Sequence, residues 1–381
     1  MAERIRVAQV VTRFIAGAGG VALRGARALD PDRYQITVLA ADGGSLLAEA
    51  ERSGFKVVRL RYMVPELDPW ADARALREVV DRLGVGAFQV VHTHSAKAGA
   101  LGRWAARKVG IPAIVHTFHG FPFHDYQSTF RRRGYIEVER RLGRITSRFL
   151  AVGAAVAADA IRLGIAPCDR IRVIGAAVGG DLPPTTPASR ARARRLLGLP
   201  LDVPVIGTVG RLDYQKAPAD MLAALAQLNR PDVRLVWVGD GPLRAKTERA
   251  IAAHGLGDRF QLLGERQDVP AILPAFDVFA MSSLYEGLPC AVVEAMTCGV
   301  PVVATAVNAV PEIVVPGRTG LLARPHDPAS LARGMAWLLD HPEEAARMAG
   351  VGKGQLGDRF GTDALGRDLQ ETYALALGGA R

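Results

Sequence analysis

Cysteine is nearly absent. Cys168, Cys290 and Cys298 are three in 381 residues, too few and too scattered for a disulfide framework or a zinc site, which fits a reducing cytosol. Long apolar runs are missing too: none approaches the roughly 20 residues of a membrane-spanning helix. The opening MAERIRVAQVV runs straight into a strand pattern and lacks the regions of a signal peptide, so a cytoplasmic location is expected. No Asp-x-Asp metal motif stands at the end of a predicted strand, and no internal sequence repeat is detectable. Lysine contributes little to the net charge of +10, which is carried by arginine. That excess favours anionic partners such as nucleotides, phospholipid surfaces or nucleic acid, but no aromatic interleaving or known motif supports the last. With 49% hydrophobic and 23% charged residues, the chain can bury a core and is long enough for two domains.

What is present is one grammar used twice. A buried-type strand over residues 5–12 leads into a loop with Gly17, Gly19 and Gly20, then a helix over 21–29. The dinucleotide fingerprint needs a third glycine where Ala22 stands, although Asp42 could serve as its ribose acid. A nicotinamide-dependent oxidoreductase is therefore one rival reading. His92, His94, His116, His119 and His124 crowd near strand ends, where open α/β sheets bind ligands. Metal binding would explain so many, but no Asp/Glu pair completes a site. His119, in a loop after a strand, is the one expected to act on a ligand, and two of the five are expected to be core or hydrogen-bonding residues. Residues 131–144 carry six arginines against two glutamates. Phe130, Ile136, Val138, Leu142 and Ile145 could line one stripe of that helix, which would suit an anionic membrane or lipid head group as well as a solvated surface. Three prolines within 181–189 mark a linker, and a helix over 190–197 begins the second series. There Arg211 and Lys216, after a strand, can both reach a diphosphate.

The stretch 281–303, MSSLYEGLPCAVVEAMTCGVPVV, organises the second half. Gly287 and Pro289 mark a turn that opens a helix over 290–296, ended by Gly299 and Pro301. A loop opening a helix offers backbone N–H groups to phosphate. Glu286 and Glu294, eight positions apart, add two acceptors for sugar hydroxyls. Glu294 sits in a mostly apolar run, where an unpaired carboxylate is costly.

This stretch resembles the E-x7-E donor signature of the retaining nucleotide-sugar glycosyltransferases of family 4. Residues 92–120 are similar to the HTHS–KAG–LGR pattern of its bacterial surface-polysaccharide and lipid-linked-glycan branch, and 207–216 to its GRL–K motif. The resemblance implies a GT-B architecture, α/β with two Rossmann-like domains across a ligand cleft: 1–182 for the acceptor, a linker at 183–189, 190–362 for the donor, and 363–381 as a helix returning to the first domain. It implies catalytic roles for His119, Arg211, Lys216 and Glu286. Donor contacts fall to Gly19, Gly20, Gly210, Arg211, Lys216, Gly239, Gly264, Glu265, Arg266, Glu286, Gly287, Leu288, Pro289, Cys290 and Glu294, with Glu286 on sugar hydroxyls, Glu294 on the ribose diol and His119 near the C6 hydroxyl. His94, Lys97, Arg131, Arg132 and Arg133 would face the acceptor or a membrane on the inner face of the plasma membrane. No metal or other cofactor is implied. The partners would be a nucleotide-diphosphate sugar, UDP-linked by preference, and a glycan or polyprenyl-linked acceptor. GDP-mannose, a natural-product acceptor, a sugar-nucleotide epimerase and a non-catalytic nucleotide-sugar binder are the alternatives. Three departures stand out: IGAAVGGD at 174–181 lacks the family's asparagine, Ala217 replaces the glycine after the lysine, and Asn308-Ala309 replaces a Gly-Gly pair.

Overall fold

The computed structural model describes residues 3–15, 17–175 and 182–379. The chain divides into two compact units, residues 1–177 with 358–381, and residues 178–357. The IGAAVGGD loop lies, from Ala176 onward, outside the described residues.

The first unit holds β1 (Ile5–Val11), β2 (Tyr34–Ala41), β3 (Lys56–Leu60), β4 (Val90–His94), β5 (Ala113–Phe118), β6 (Arg148–Ala151) and β7 (Ile171–Val173). They form one sheet in the order β3-β2-β1-β4-β5-β6-β7, with every pair parallel. The central strands are buried on both faces, which is why they read as near-continuous apolar runs. The order reverses between β1 and β4, so a crevice opens at the carboxyl ends of those strands. Gln9, His92 and His94 are polar interruptions of these runs, and all three are buried.

The second unit repeats the plan with β8 (Val205–Val209), β9 (Arg234–Val238), β10 (Phe260–Gly264), β11 (Val278–Met281), β12 (Val302–Thr305) and β13 (Leu321–Ala323), ordered β10-β9-β8-β11-β12-β13. Its reversal falls between β8 and β11. The helix Thr362–Gly378 belongs to the first unit and packs on the helix Ala18–Ala28 through glycines. A Cβ on Gly366 would come within 2.6 Å of the Ala28 carbonyl oxygen, and one on Gly25 within 2.8 Å of Leu369. The returning helix expected from the sequence is thus present.

Several local expectations need correction. Gly19 and Gly20 are not in a loop: the helix begins at Ala18, and only Gly17, with φ 75°, makes the turn. A Cβ on Gly19 would stand 3.1 Å from the Phe14 backbone, so this glycine serves close packing. The helix after the linker begins at Pro187 rather than residue 190, because Thr186 and Ser189 form a capping box that starts it. The arginine-rich helix is Thr129–Gly143, and its apolar residues do not form one stripe. Ile136 and Leu142 are buried, whereas Phe130 and Val138 are exposed. At about 100° per residue, position 130 falls opposite the inward arc of 136, 139 and 142, and 138 falls at the edge of that arc beside 142. Glu139 points inward with them and pairs at 2.8 Å with the buried Arg103.

Candidate active site

In the second unit, the loops after β8 and β11 meet at the strand reversal. Gly210 follows β8 and Lys216 lies one turn on. The Lys216 ammonium pairs with the Glu286 carboxylate, and both side chains are largely buried. Gln215 joins them: its Nε2 donates to the Tyr285 carbonyl at 2.9 Å and to Glu286 Oε2 at 3.3 Å. Asp213 Oδ1 accepts from the Lys216 backbone N–H at 3.1 Å. The Ser282 hydroxyl donates to the Lys216 carbonyl at 2.8 Å, and the Leu284 N–H donates to the Gln215 carbonyl. These bonds tie the two loops into one rigid floor.

Arg211 stands at its rim, 57% exposed, with Nε 3.1 Å from Asp213. Glycine permits the close packing behind it. A Cβ on Gly239 would lie 2.2 Å from the Gly210 carbonyl oxygen, and Gly239 N–H donates to the Gly264 carbonyl. Trp237 Nε1 donates to the Gly210 carbonyl at 2.7 Å. Arg266 is committed to Asp268 at 2.6 Å, and Glu265 is exposed.

Residues Glu286 to Pro289 are buried, and the helix Cys290–Cys298 follows directly, closed by Gly299 at φ 80°. Its first N–H groups have no intrahelical acceptor by construction. Glu294 lies half-buried in mid-helix, one turn before Cys298. Burial, then the Glu294 carboxylate, pushes the Cys298 thiol up to about 12. Two of the three departures from glycine fall at left-handed residues, Ala217 with φ 46° and Asn308 with φ 42°, whereas Ala309 has φ −83°. Asn308 Oδ1 accepts from the Glu286 N–H at 2.8 Å, so the substitution adds a hold on the glutamate.

In the first unit, the two-residue period sorts the histidines by face. His116 bonds to Thr93 Oγ1 at 2.8 Å beneath the helix Ala96–Lys108. On the other face His92 touches Thr117 Oγ1 and the Tyr373 hydroxyl, each at 2.7 Å. His94 contacts Gln9 Oε1 at 2.6 Å and His119 at 2.9 Å. His119 alone of these keeps part of its surface accessible. Burial lowers His92 to about 3 and His119 to about 4, the latter helped by the nearby Arg24 guanidinium. His94 and His116 are held well below the ordinary range, by burial first. These four imidazoles are therefore neutral at pH 7.

Lys97 is held by a 2.6 Å pair with Asp72 and by the Glu66 carbonyl. Arg131 leans on Tyr135 and Arg132 on Phe123, while Arg133 is exposed. Asp42 is a turn residue paired with Arg59 at 3.4 Å. Among the described residues no group of three or more His, Cys, Asp or Glu is arranged to hold a metal, and no helix is long and apolar enough to cross a membrane.

Sequence reasoning missed Gln9, Tyr373 and Gln215, and met Asn308 only as a departure from a Gly-Gly pair. Gln9 carried a signal, as the one amide in the apolar run IRVAQVV. The others become visible only when strands and helices are assembled.

Two doubly wound parallel units, with a C-terminal helix returning to the first, have the architecture of the GT-B class of glycosyltransferases. Residues 15–178 match the family described as Glycosyltransferase Family 4, and 189–354 that described as Glycosyl transferases group 1. The chain is 31% identical to the UDP-Gal:α-D-GlcNAc-diphosphoundecaprenol α-1,3-galactosyltransferase of Escherichia coli, over 80% of each chain. It is 36% identical to the 2-deoxystreptamine glucosyltransferase of Streptomyces kanamyceticus, over 68% of this chain and 69% of that one. The structure of HepE from Anabaena with UDP and glucose superposes with a TM-score of 0.84 at 22% identity, covering 97% and 100% of the two chains. The chain belongs to glycosyltransferase family 4 and is a retaining hexosyltransferase that uses nucleotide sugars.

Proposed function

We propose that the protein transfers a hexose from a UDP-sugar to a hydroxyl of a glycan or polyprenyl-linked acceptor, in surface polysaccharide or related glycan synthesis. The observation that carries this reading is the Lys216–Glu286 pair beside the amino end of the helix Cys290–Cys298. An ammonium, a rim guanidinium at Arg211 and helix N–H groups provide positive charge for a departing diphosphate. Glu286 offers an acceptor for sugar hydroxyls next to that charge, and Glu294 one for the ribose diol.

In this mechanism the sugar C1–O bond to the diphosphate breaks with the electron pair leaving on phosphate. The acceptor oxygen bonds to C1 on the same face, and its proton passes to a phosphate oxygen. Lys216 shares its charge between Glu286 and the leaving group as negative charge develops. His119 contacts the sugar near C6. UDP is favoured because the galactosyltransferase relative and the HepE complexes are named for it. The similarity to a 2-deoxystreptamine glucosyltransferase favours a second acceptor class, a small aminocyclitol-type molecule.

Thermal shift with UDP-, GDP-, dTDP- and ADP-sugars, without added metal, tests the donor. A ligand bound only to the folded state raises the melting temperature. A shift with the UDP-sugars that is lost in Lys216→Ala is expected. A shift with another base alone, or one that persists in Lys216→Ala, would overturn the assignment.

A further inference from the structure

We propose that a buried hydrogen-bond chain running from Tyr373 through Gln9 and His94 sets the tautomer of His119, so that this imidazole offers Nδ1 as an acceptor to a sugar hydroxyl. Gln9 and Tyr373 are positioning residues in this account. The substrate half of the inference rests on the site proposed above, whereas the tautomer half does not.

The chain can be followed link by link, starting at the Gln9 amide. Its Nε2 can only donate and lies 3.2 Å from the Tyr373 hydroxyl, so that oxygen accepts. The phenol's own hydrogen then goes to His92 Nδ1, 2.7 Å away. Neutral His92 must carry its proton on Nε2, which donates to Thr117 Oγ1. The amide's other end fixes the other branch. Gln9 Oε1 can only accept, so His94 Nε2 carries the proton at 2.6 Å. Neutral His94 therefore has a bare Nδ1, and it meets His119 Nε2 at 2.9 Å. His119 must donate there from Nε2, which leaves its Nδ1 without a proton. Turning the Gln9 amide over would reverse every link and make Nδ1 of His119 a donor. One buried amide thus decides what kind of group His119 can receive.

The chemistry follows. A bare imidazole nitrogen takes the hydrogen of a hydroxyl and repels the oxygens of a carboxylate or phosphate. His119 would accept a neutral sugar and disfavour one oxidised to a uronate at the contacted carbon. Burial keeps the whole chain from charging: Gln9, His92, His94, Thr117 and Tyr373 are all buried. Arg24, on the helix Ala18–Ala28, is the charged neighbour that further opposes protonation of His119. The C-terminal helix, far along the sequence from the strand ends it supports, contributes the hydroxyl that meets the amide nitrogen and links it to His92.

The test uses the whole 381-residue chain with 15N-labelled histidine. Long-range proton–nitrogen correlation spectra distinguish the two tautomers, and His119→Gln assigns the relevant signals. At pH 7.5 His119 should show the pattern protonated at Nε2. Gln9→Met removes both amide contacts and should convert it to an averaged mixture. Tyr373→Phe deletes one oxygen, keeps the fold, and should also move the pattern toward the mixture. Both variants should raise the donor KM about three- to tenfold, the scale of one lost hydrogen bond, with a smaller change in kcat. A native His119 protonated at Nδ1, or a single unchanged tautomer in Tyr373→Phe and Gln9→Met, would overturn the chain. A correct tautomer whose signals stay still during titration with the donor sugar would instead overturn the substrate contact.

Discussion

The two units use the same strand grammar and build opposite electrostatics at their strand reversals. The first unit gathers His92, His94 and His119 around Gln9, all neutral and linked by hydrogen bonds. The second gathers charged pairs, Lys216 with Glu286 and Arg211 with Asp213. Topology fixes where a ligand sits in such sheets, and side chains fix which chemical groups it shows. A neutral, buried hydrogen-bond network suits hydroxyls, whose donor and acceptor positions are directional. Paired charge with glycine-lined backbone suits a diphosphate, which needs compensation more than direction.

The largest effect that would sharpen this contrast is at Glu286. Glu286→Ala should lower kcat/KM for transfer by about 10³ or more, the scale of losing a principal electrostatic group. It also leaves the largely buried Lys216 ammonium without its partner, at a cost of roughly 1–3 kcal/mol after allowing for its remaining exposure. Glu286→Gln separates the two effects, since the amide keeps Gln215 and sugar contacts but not the charge. The comparison breaks if Glu286→Ala transfers sugar at the native rate.

The fold was legible because its evidence is local. Apolar runs between glycine turns mark parallel strands, and the E-x7-E stretch places the second site on a loop–helix junction. The Lys216–Glu286 pair was half legible: each residue was expected at the donor, but not their contact, which depends on two loops 70 residues apart meeting at one reversal. The stripe expected on the arginine-rich helix failed because apolar content was counted without its angular position. The left-handed backbone at Ala217 was hidden because alanine carries no signal for positive φ, whereas Asn308 carried one, asparagine being enriched there among non-glycine residues.

A second prediction sets the units against each other by pH. Neutral His92 and His119 have lowered values of about 3 and 4 in the folded protein, against about 6.5 in the unfolded chain. Between those values the unfolded state binds more protons, so stability falls as the pH drops below 6.5. The loss is about 1.4 kcal/mol per pH unit for each such proton, until the folded form protonates too. The described histidines of the second unit, His254, His326 and His341, are exposed. Hydrogen exchange at pH 7 and pH 5 should therefore show protection lost first in β1, β4 and β5, while β8 and β11 hold. Earlier loss in the second unit would contradict the contrast.

The smallest expected effect compares the two left-handed residues standing where the family has glycine. Asn308 tolerates its left-handed backbone and gains a 2.8 Å bond to the Glu286 N–H. Ala217 has φ 46° and ψ 61° and makes no side-chain bond in return; that conformation costs an alanine about 1–2 kcal/mol. Ala217→Gly removes the strain but lets the unfolded chain roam more widely, which returns about 0.4–1 kcal/mol. The net should be a stabilisation of about 0.5 kcal/mol, read as a higher urea midpoint at unchanged slope. Asn308→Gly should go the other way and lower the midpoint, because it removes the acceptor that holds the Glu286 backbone. Equal responses at the two positions would mean that the Asn308 side chain contributes nothing beyond its backbone tolerance.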